Sequence, residues 1–146
     1  VKKTLKIHWK PALLALIVGA SILYLFDRRA PVEIIAPDAI SAMAPGESRY
    51  VGFTIDWRRL CRAEVYRDRE WEPSGEIDHY RSVPLNPPDQ TGIEEDRHLP
   101  VHVPKKAEGN SVMTIHATGY FSCNALQDIW PIKVKFPPIR VPIQTG

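Results

Sequence analysis

Cysteine is almost absent from this 146-residue chain, with Cys61 and Cys123 the only two. They form no C-x-x-C pair, which argues against a thiol oxidoreductase. The five histidines are His8, His79, His98, His102 and His116, and none has metal-ligand spacing to a cysteine or carboxylate. His98 and His102 are four apart, but Pro100 between them prevents a shared helical face. The sequence also lacks a G-x-S-x-G elbow, a phosphate loop and a dinucleotide fingerprint. Asp78-His79 has no serine paired with it and reads as surface strand, and Glu94-Glu95-Asp96 reads as a solvated loop. No catalytic residue, metal ligand or cofactor is therefore assigned, and an enzyme is not expected. A clustered basic face is missing too. The net charge of +2 divides unevenly: residues 1–29 hold six Lys/Arg and one acid (+5), and residues 30–146 hold thirteen Lys/Arg and sixteen acids (−3). A slightly acidic main body disfavours nucleic acid as a partner.

One long apolar run is present. Pro11–Phe26 reads PALLALIVGASILYLF without a charge, preceded by Lys2, Lys3, Lys6 and Lys10 and followed by Asp27-Arg28-Arg29. As a helix it reaches about 24 Å, at the short edge for a hydrocarbon core about 30 Å thick. Trp9 and Tyr24 suit the two membrane interfaces, Lys10 can snorkel, and Pro11 falls in a first turn where its missing N–H costs little. A cleaved signal peptide, with Val18 and Ala20 before the cut, is the main rival reading, and a buried helix of a soluble protein is the third. Cleavage there would leave Ile22–Phe26 as an apolar new N-terminus, so a retained anchor is expected. The lysine-rich flank favours a cytoplasmic N-terminus and a body outside it, in the periplasm if the membrane is a bacterial inner membrane. The expected organisation is a basic flank (1–10), a transmembrane helix (11–26), a linker (27–31) and one domain (32–146).

Twelve of the fourteen prolines lie after residue 35, which breaks helices and suits an all-β domain with loops. Ten tryptophan, tyrosine and phenylalanine residues between Tyr50 and Phe136 argue for a packed core. Arg49–Trp57 alternates strictly, with Val51, Phe53, Ile55 and Trp57 on one face. Val32–Ile35, Ala63–Trp71, Glu76–Val83 and Leu99–Val103 read as further strands, the last an edge because of Pro100. Pro73-Ser74-Gly75 is a hairpin turn, and Pro84–Glu95 is a long loop. Val112–Phe121 alternates again, Asn124–Asp128 is a connection, and Trp130–Phe136 places Trp130, Ile132, Val134 and Phe136 inward. Alternation restarts at Ile139. About seven or eight strands of this kind imply an immunoglobulin-like β-sandwich behind one N-terminal transmembrane α-helix.

In an oxidising compartment Cys61 and Cys123 can pair, closing a loop of about 62 residues and adding roughly 4 kcal/mol by the chain-entropy argument. Buried free thiols or an intermolecular bridge are the alternatives. A bridge between early and late strands resembles the inter-sheet staple of immunoglobulin-like domains, with Tyr120 and Phe121 near the place of a tyrosine corner. Arg58, Arg59, Arg62, Arg67 and Arg69 crowd near Glu64, Asp68, Glu70 and Glu72. They read either as an ion-pair-laced strand surface or as a partner-binding strip, with Trp71 as an anchor at a hairpin tip.

The lysine-rich start, the short anchor, Arg-x-x-Cys-Arg at Arg58–Arg62 and the Tyr120–Ile132 run YFSCNALQDIWPI together resemble small single-pass membrane proteins of tailed bacteriophages. That resemblance implies a virion or envelope component and carries no catalytic role. The expected function is a non-enzymatic, membrane-anchored structural or interaction protein. Its partners would be the membrane through residues 11–26 and protein, either further copies of itself or phage structural proteins. A lysis or membrane-remodelling protein is the second reading, although spanins show long helical periodicity and holins are mostly membrane helix. An accessory periplasmic subunit of a bacterial envelope complex is the third.

Overall fold

A computed structural model describes residues 9–37 and 39–145. Lys2, Lys3, Lys6 and His8 of the basic flank lie outside the described residues. The first element is helix α1 (Trp9–Phe26), so Trp9 and Lys10 form its first turn rather than a separate flank. None of its residues is buried, which leaves a cylinder apolar from Pro11 onward except for Ser21 and the Tyr24 hydroxyl, outside the protein core.

Eight strands follow in two sheets: β1 (Val32–Pro37), β2 (Ser48–Trp57), β3 (Arg62–Glu72), β4 (Ile77–Leu85), β5 (Gly92–His102), β6 (Val112–Ser122), β7 (Ile132–Lys135) and β8 (Ile139–Pro142). The first sheet has the order β1-β2-β5, and the second the order β4-β3-β6-β7, with β8 also on β6. β7 pairs with the Thr118–Phe121 half of β6 and β8 with the Val112–Ile115 half, so the two are one edge strand broken at Pro137-Pro138. The result is the immunoglobulin-like sandwich that the alternation predicts. Val51, Phe53, Ile55 and Trp57 from β2 meet Met113, Ile115 and Phe121 from β6 between the sheets, all buried. Phe53 packs edge-on to Phe136 and Trp57 edge-on to Phe121, at centroid distances of 6.1 and 6.3 Å. Gly119 makes room for these rings, since a Cβ there would lie 2.6 Å from Phe121.

Both lateral seams of the sandwich are closed. On one side Met43 bridges Ile143 in parallel; its N–H donates to the Pro142 carbonyl and its carbonyl accepts from Gln144, each at 2.9 Å. On the other side, side chains cap the open edge of β5. Arg67 donates to the Pro100 carbonyl at 2.6 Å. The Tyr80 hydroxyl donates to the His102 carbonyl at 3.0 Å and accepts from the His102 N–H at 2.6 Å. An edge strand offering free N–H and C=O groups is an aggregation hazard, and this capping removes part of it.

Five expectations need correction. The loop expected over Pro84–Glu95 spans only residues 86–91, because β4 runs on to Leu85 and β5 begins at Gly92. Pro84 is tolerated since β4 is an edge strand. The Asn124–Asp128 connection contains a helix, α2 (Ala125–Ile129), whose N-cap Asn124 accepts from the Gln127 N–H at 3.1 Å. Trp130 does not point inward: it sits between α2 and β7 and is 57% exposed. Finally, the Cys61–Cys123 bridge does not staple one sheet to the other. Arg62 pairs with Ser122 in the β3–β6 ladder, so the cysteines stand opposite each other one step beyond it, within one sheet. Tyr120 likewise forms no corner; its ring meets Tyr66 edge-on at 5.2 Å on the outer face.

Candidate functional site

The end of the sandwich nearest α1 holds the densest set of unusual contacts. Helix α2 lies against the last turn of α1. The Tyr24 hydroxyl donates to the Cys123 carbonyl at 3.3 Å, and Asn124 Nδ2 donates to the Tyr24 carbonyl at 3.2 Å. Gln127 is completely buried, with Nε2 donating to the Asp27 carbonyl at 2.7 Å and Oε1 accepting from the Cys123 N–H at 3.0 Å. Arg28 donates from both terminal nitrogens, to the carbonyls of Trp130 and Pro131, each at 2.9 Å. The same guanidinium lies 4.0 Å from the centroid of the Trp130 ring. Arg59 reaches back to the Asp27 carboxylate at 3.3 Å and to the Arg29 carbonyl, while the N–H groups of Arg58 and Arg59 donate to the Pro31 carbonyl. Helix α1, residues 27–31 and the domain base are thus joined by hydrogen bonds from three separate stretches of chain, beside a disulfide.

The proposed arginine strip separates into groups. Arg58 pairs with Glu33 and is exposed, Arg59 is tied into the junction, and Arg62 is exposed at the start of β3. Arg67 and Arg69 occupy odd positions of β3 with Val65 and face the interior. Arg67 is 5% exposed and donates to Pro100 and Arg81 carbonyls, with its guanidinium 4.5 Å from the Tyr80 ring centroid. Burial lowers its pKa from the ordinary arginine value, the Tyr80 phenol opposes that shift, and Arg69 adds to it. Arg69 is largely buried, 3.6 Å from Asp78 and with its guanidinium 4.4 Å from the Tyr80 ring centroid. Neither is available to a partner, because period-two alternation turns them toward the β4–β5 seam. Trp71 lies at the far end of β3, donating from Nε1 to Asp78 at 3.2 Å in a cleft with Pro73, Pro104 and Glu108.

The even positions of β3 face outward instead; the arginine strip counts their acids Glu64, Asp68 and Glu70 only as neighbours and leaves out Tyr66. Tyr66 is half exposed and meets Tyr120 edge-on; its hydroxyl donates to Glu64 at 3.3 Å, and that carboxylate raises the phenol's pKa. Asp68 pairs with His79 at 2.8 Å and Glu70 with His116 at 3.0 Å. Lys133 of β7 lies 5.3 Å from the Tyr120 ring centroid. Together these make a shallow concavity lined by Glu64, Tyr66, Asp68, His79, Tyr120 and Asp128. Its signal was present in the sequence, in the Glu-Tyr-Asp-Glu spacing of residues 64, 66, 68 and 70. Glu94, read as solvated, accepts instead from the buried Trp57 Nε1 at 2.7 Å and from Arg97 at 2.9 Å. Among the described residues no group of three His, Cys, Asp or Glu side chains is placed to hold a metal ion.

Comparison with known proteins adds little. No protein-family model and no curated protein matches the chain. Among solved structures it is similar to the ASH / PapD-like domain 7 of human CEP192, at 12% identity over 80% of this chain and 87% of that one, with a TM-score of 0.42. It is also similar to part of the Pseudomonas fluorescens alkylpurine DNA glycosylase AlkC, determined with DNA containing an abasic site analog. That match has 12% identity over 92% of this chain but only 37% of that one, with a TM-score of 0.45. Neither likeness bears on function. The chain is an immunoglobulin-like β-sandwich behind an apolar helix that is long enough for a membrane anchor or a signal sequence, and its disulfide points to a non-cytoplasmic compartment.

Proposed function

We propose that this chain is a non-enzymatic, membrane-anchored interaction protein. In this reading α1 stays in the bilayer with its N-terminus in the cytoplasm. The sandwich stands on the far side, in the periplasm of a bacterial cell, and binds protein there. Its setting would be the virion of a tailed bacteriophage or the envelope of the infected cell. The observation that carries the reading is the junction: an apolar helix with no buried residue is fastened through Tyr24, Asp27 and Arg28 to the base of a disulfide-bonded domain. A helix destined for removal has no use for such contacts, since cleavage after Ala20 would leave Tyr24 on a short apolar stub. The outer face around Tyr66 and Tyr120 is the surface best suited to a protein partner, with aromatic rings among hydrogen-bonded polar side chains.

The test is mass spectrometry of purified particles and of host membrane fractions, without reduction and with thiol labelling. An intact chain with Cys61 bridged to Cys123 in particles marks a virion component, and the same chain confined to membranes marks an envelope factor. A chain that starts after residue 20, or free thiols in either place, overturns the anchored, periplasmic reading.

A further inference from the structure

The base of the sandwich exposes large apolar side chains that the fold leaves uncovered. Ile129 is 86% exposed, Trp130 57% and Leu60 44%. Leu60 is next to Cys61 and Ile129-Trp130 end the connection that follows Cys123, so the disulfide holds these two loops together at one end of the domain. That end is also where Tyr24 and Phe26 of α1 emerge, 59% and 61% exposed. Around the apolar groups stand cations: Arg28 over the Trp130 ring, and Arg29, whose side chain is 92% exposed.

We propose that the base of the sandwich, through Leu60, Ile129 and Trp130, is seated in the headgroup region of the same bilayer that α1 enters. The inference rests on the anchored reading above. Its geometry follows from the helix. Eighteen residues of α1 rise about 27 Å, slightly less than a hydrocarbon core about 30 Å thick. A short span is accommodated by drawing its flanking residues down to the boundary. Tyr24, in the last turn, is hydrogen-bonded to Cys123 and Asn124, and Arg28, two residues beyond the helix, to Trp130 and Pro131. The α2 connection therefore sits level with the end of the span, where indole rings concentrate in membrane proteins. Arg28 and Arg29 supply the charge that lipid phosphates attract. A lipid surface fits this patch better than a folded partner does, because the patch is small, borders the anchor directly and alternates apolar tips with arginines.

The full chain reconstituted into phosphatidylcholine–phosphatidylglycerol vesicles tests this, with lipids brominated near the carbonyl end of the acyl chain as tryptophan quenchers. Trp57 is buried and Trp71 is at the far end of the domain, so replacing Trp9 by Phe leaves Trp130 as the reporter near lipid. In that background Trp130 should be quenched by the brominated lipid, and Ile129→Asp should lower the quenching about twofold or more as the loop lifts out of the interface. Trp130→Phe should remove the lipid-quenched component. Absence of lipid quenching, in a chain that still resists alkaline carbonate extraction, overturns the seat and leaves the anchor standing. Protection of Trp130 from both brominated lipid and aqueous iodide assigns the patch to protein contact and overturns the seat as well. A chain extracted by carbonate overturns the anchored reading itself.

Discussion

Gln127 is the polar side chain on which the junction closes, and replacing it tests whether helix and domain form one structural unit. The Gln127→Leu variant keeps the volume and the helical backbone of α2 but removes both side-chain hydrogen bonds. The Cys123 N–H, now 3.0 Å from Oε1, and the Asp27 carbonyl, now 2.7 Å from Nε2, would lose their partners in a partly buried setting. Each group left unpaired costs about 1–3 kcal/mol. The better transfer of leucine from water returns up to about 1 kcal/mol. The net expectation is a loss of about 2–4 kcal/mol. For a domain of this size that corresponds to a drop of about 10 °C in Tm. The assay is thermal unfolding of the full chain in detergent micelles, followed by the tryptophan bands of the near-UV circular dichroism in a Trp9→Phe background, where Trp57, Trp71 and Trp130 all belong to the domain and none to α1. The N-cap bonds of α2 come from the Gln127 backbone N–H and survive the substitution, so α2 itself is not the source of the loss. A shift of less than about 2 °C would show that the two bonds contribute nothing net and that the junction is an incidental contact.

Three further outcomes follow from the same structure. Replacing both Cys61 and Cys123 by alanine opens a loop with a sequence separation of 62 residues and should lower stability by about 4 kcal/mol, read as a fall in denaturation midpoint that dithiothreitol reproduces in the unmodified protein. Gly119→Ala puts a Cβ 2.6 Å from Phe121 and 3.2 Å from Phe136. Overpacking there should cost about 1–3 kcal/mol in a denaturant melt, and a neutral result would mean the aromatic cluster is loosely packed. Glu47 accepts from the Ala44 N–H and pairs with Arg49, and these contacts, in that order, lower its pKa. A depressed folded pKa gives stability that is present above the ordinary carboxylate value of about 4.3 and is lost as pH falls through the folded value. The Tm gap between the parent and Glu47→Gln should therefore be widest near neutrality and close in acid; a gap that is unchanged in acid would assign the effect to packing.

The strands were legible because alternation is a local signal that tertiary structure had no reason to override. Arg49–Trp57 and Val112–Phe121 place their apolar positions inward as written. The same alternation turned Arg67 and Arg69 inward with Val65, but charge argued for the surface, and charge was the misleading guide. A guanidinium can be buried when fixed carbonyls receive its donors, and those carbonyls belong to Pro100 and Arg81, 33 and 14 residues away. No local window contains them. Helix α2 leaves no periodic signal because five residues give too short a run for helical periodicity. Trp130 departs from the alternation of Ile132, Val134 and Phe136 because β7 begins only at Ile132, and the segment before Pro131 is not strand. Pairing of the cysteines was legible, but its placement within one sheet depends on the β3–β6 register, which only the assembled structure supplies.

Register also decides how far apart the candidate surfaces lie. A strand rises about 3.3 Å per residue, so Trp71, nine residues after Arg62, stands roughly 30 Å farther along β3. Tyr66 stands roughly 13 Å along it. Arg58, Arg59 and Arg62 belong to the base with α1, and Trp71 belongs to the opposite tip, so one epitope cannot contain both. If the base rests on the bilayer, the tyrosine pair is displayed a short way above it and the Trp71 cleft faces away from it. A partner bound at Tyr66 and Tyr120 would be held close to the membrane, where Arg28 and Gln127 fix the height of the sheet relative to α1. Loosening that junction with Gln127→Leu should therefore weaken capture of a membrane-embedded partner more than capture of the same partner in solution, a difference measurable by comparing co-purification from vesicles and from detergent. Equal weakening in both settings would mean that the junction supports only folding and does not set the height at which the sheet is presented.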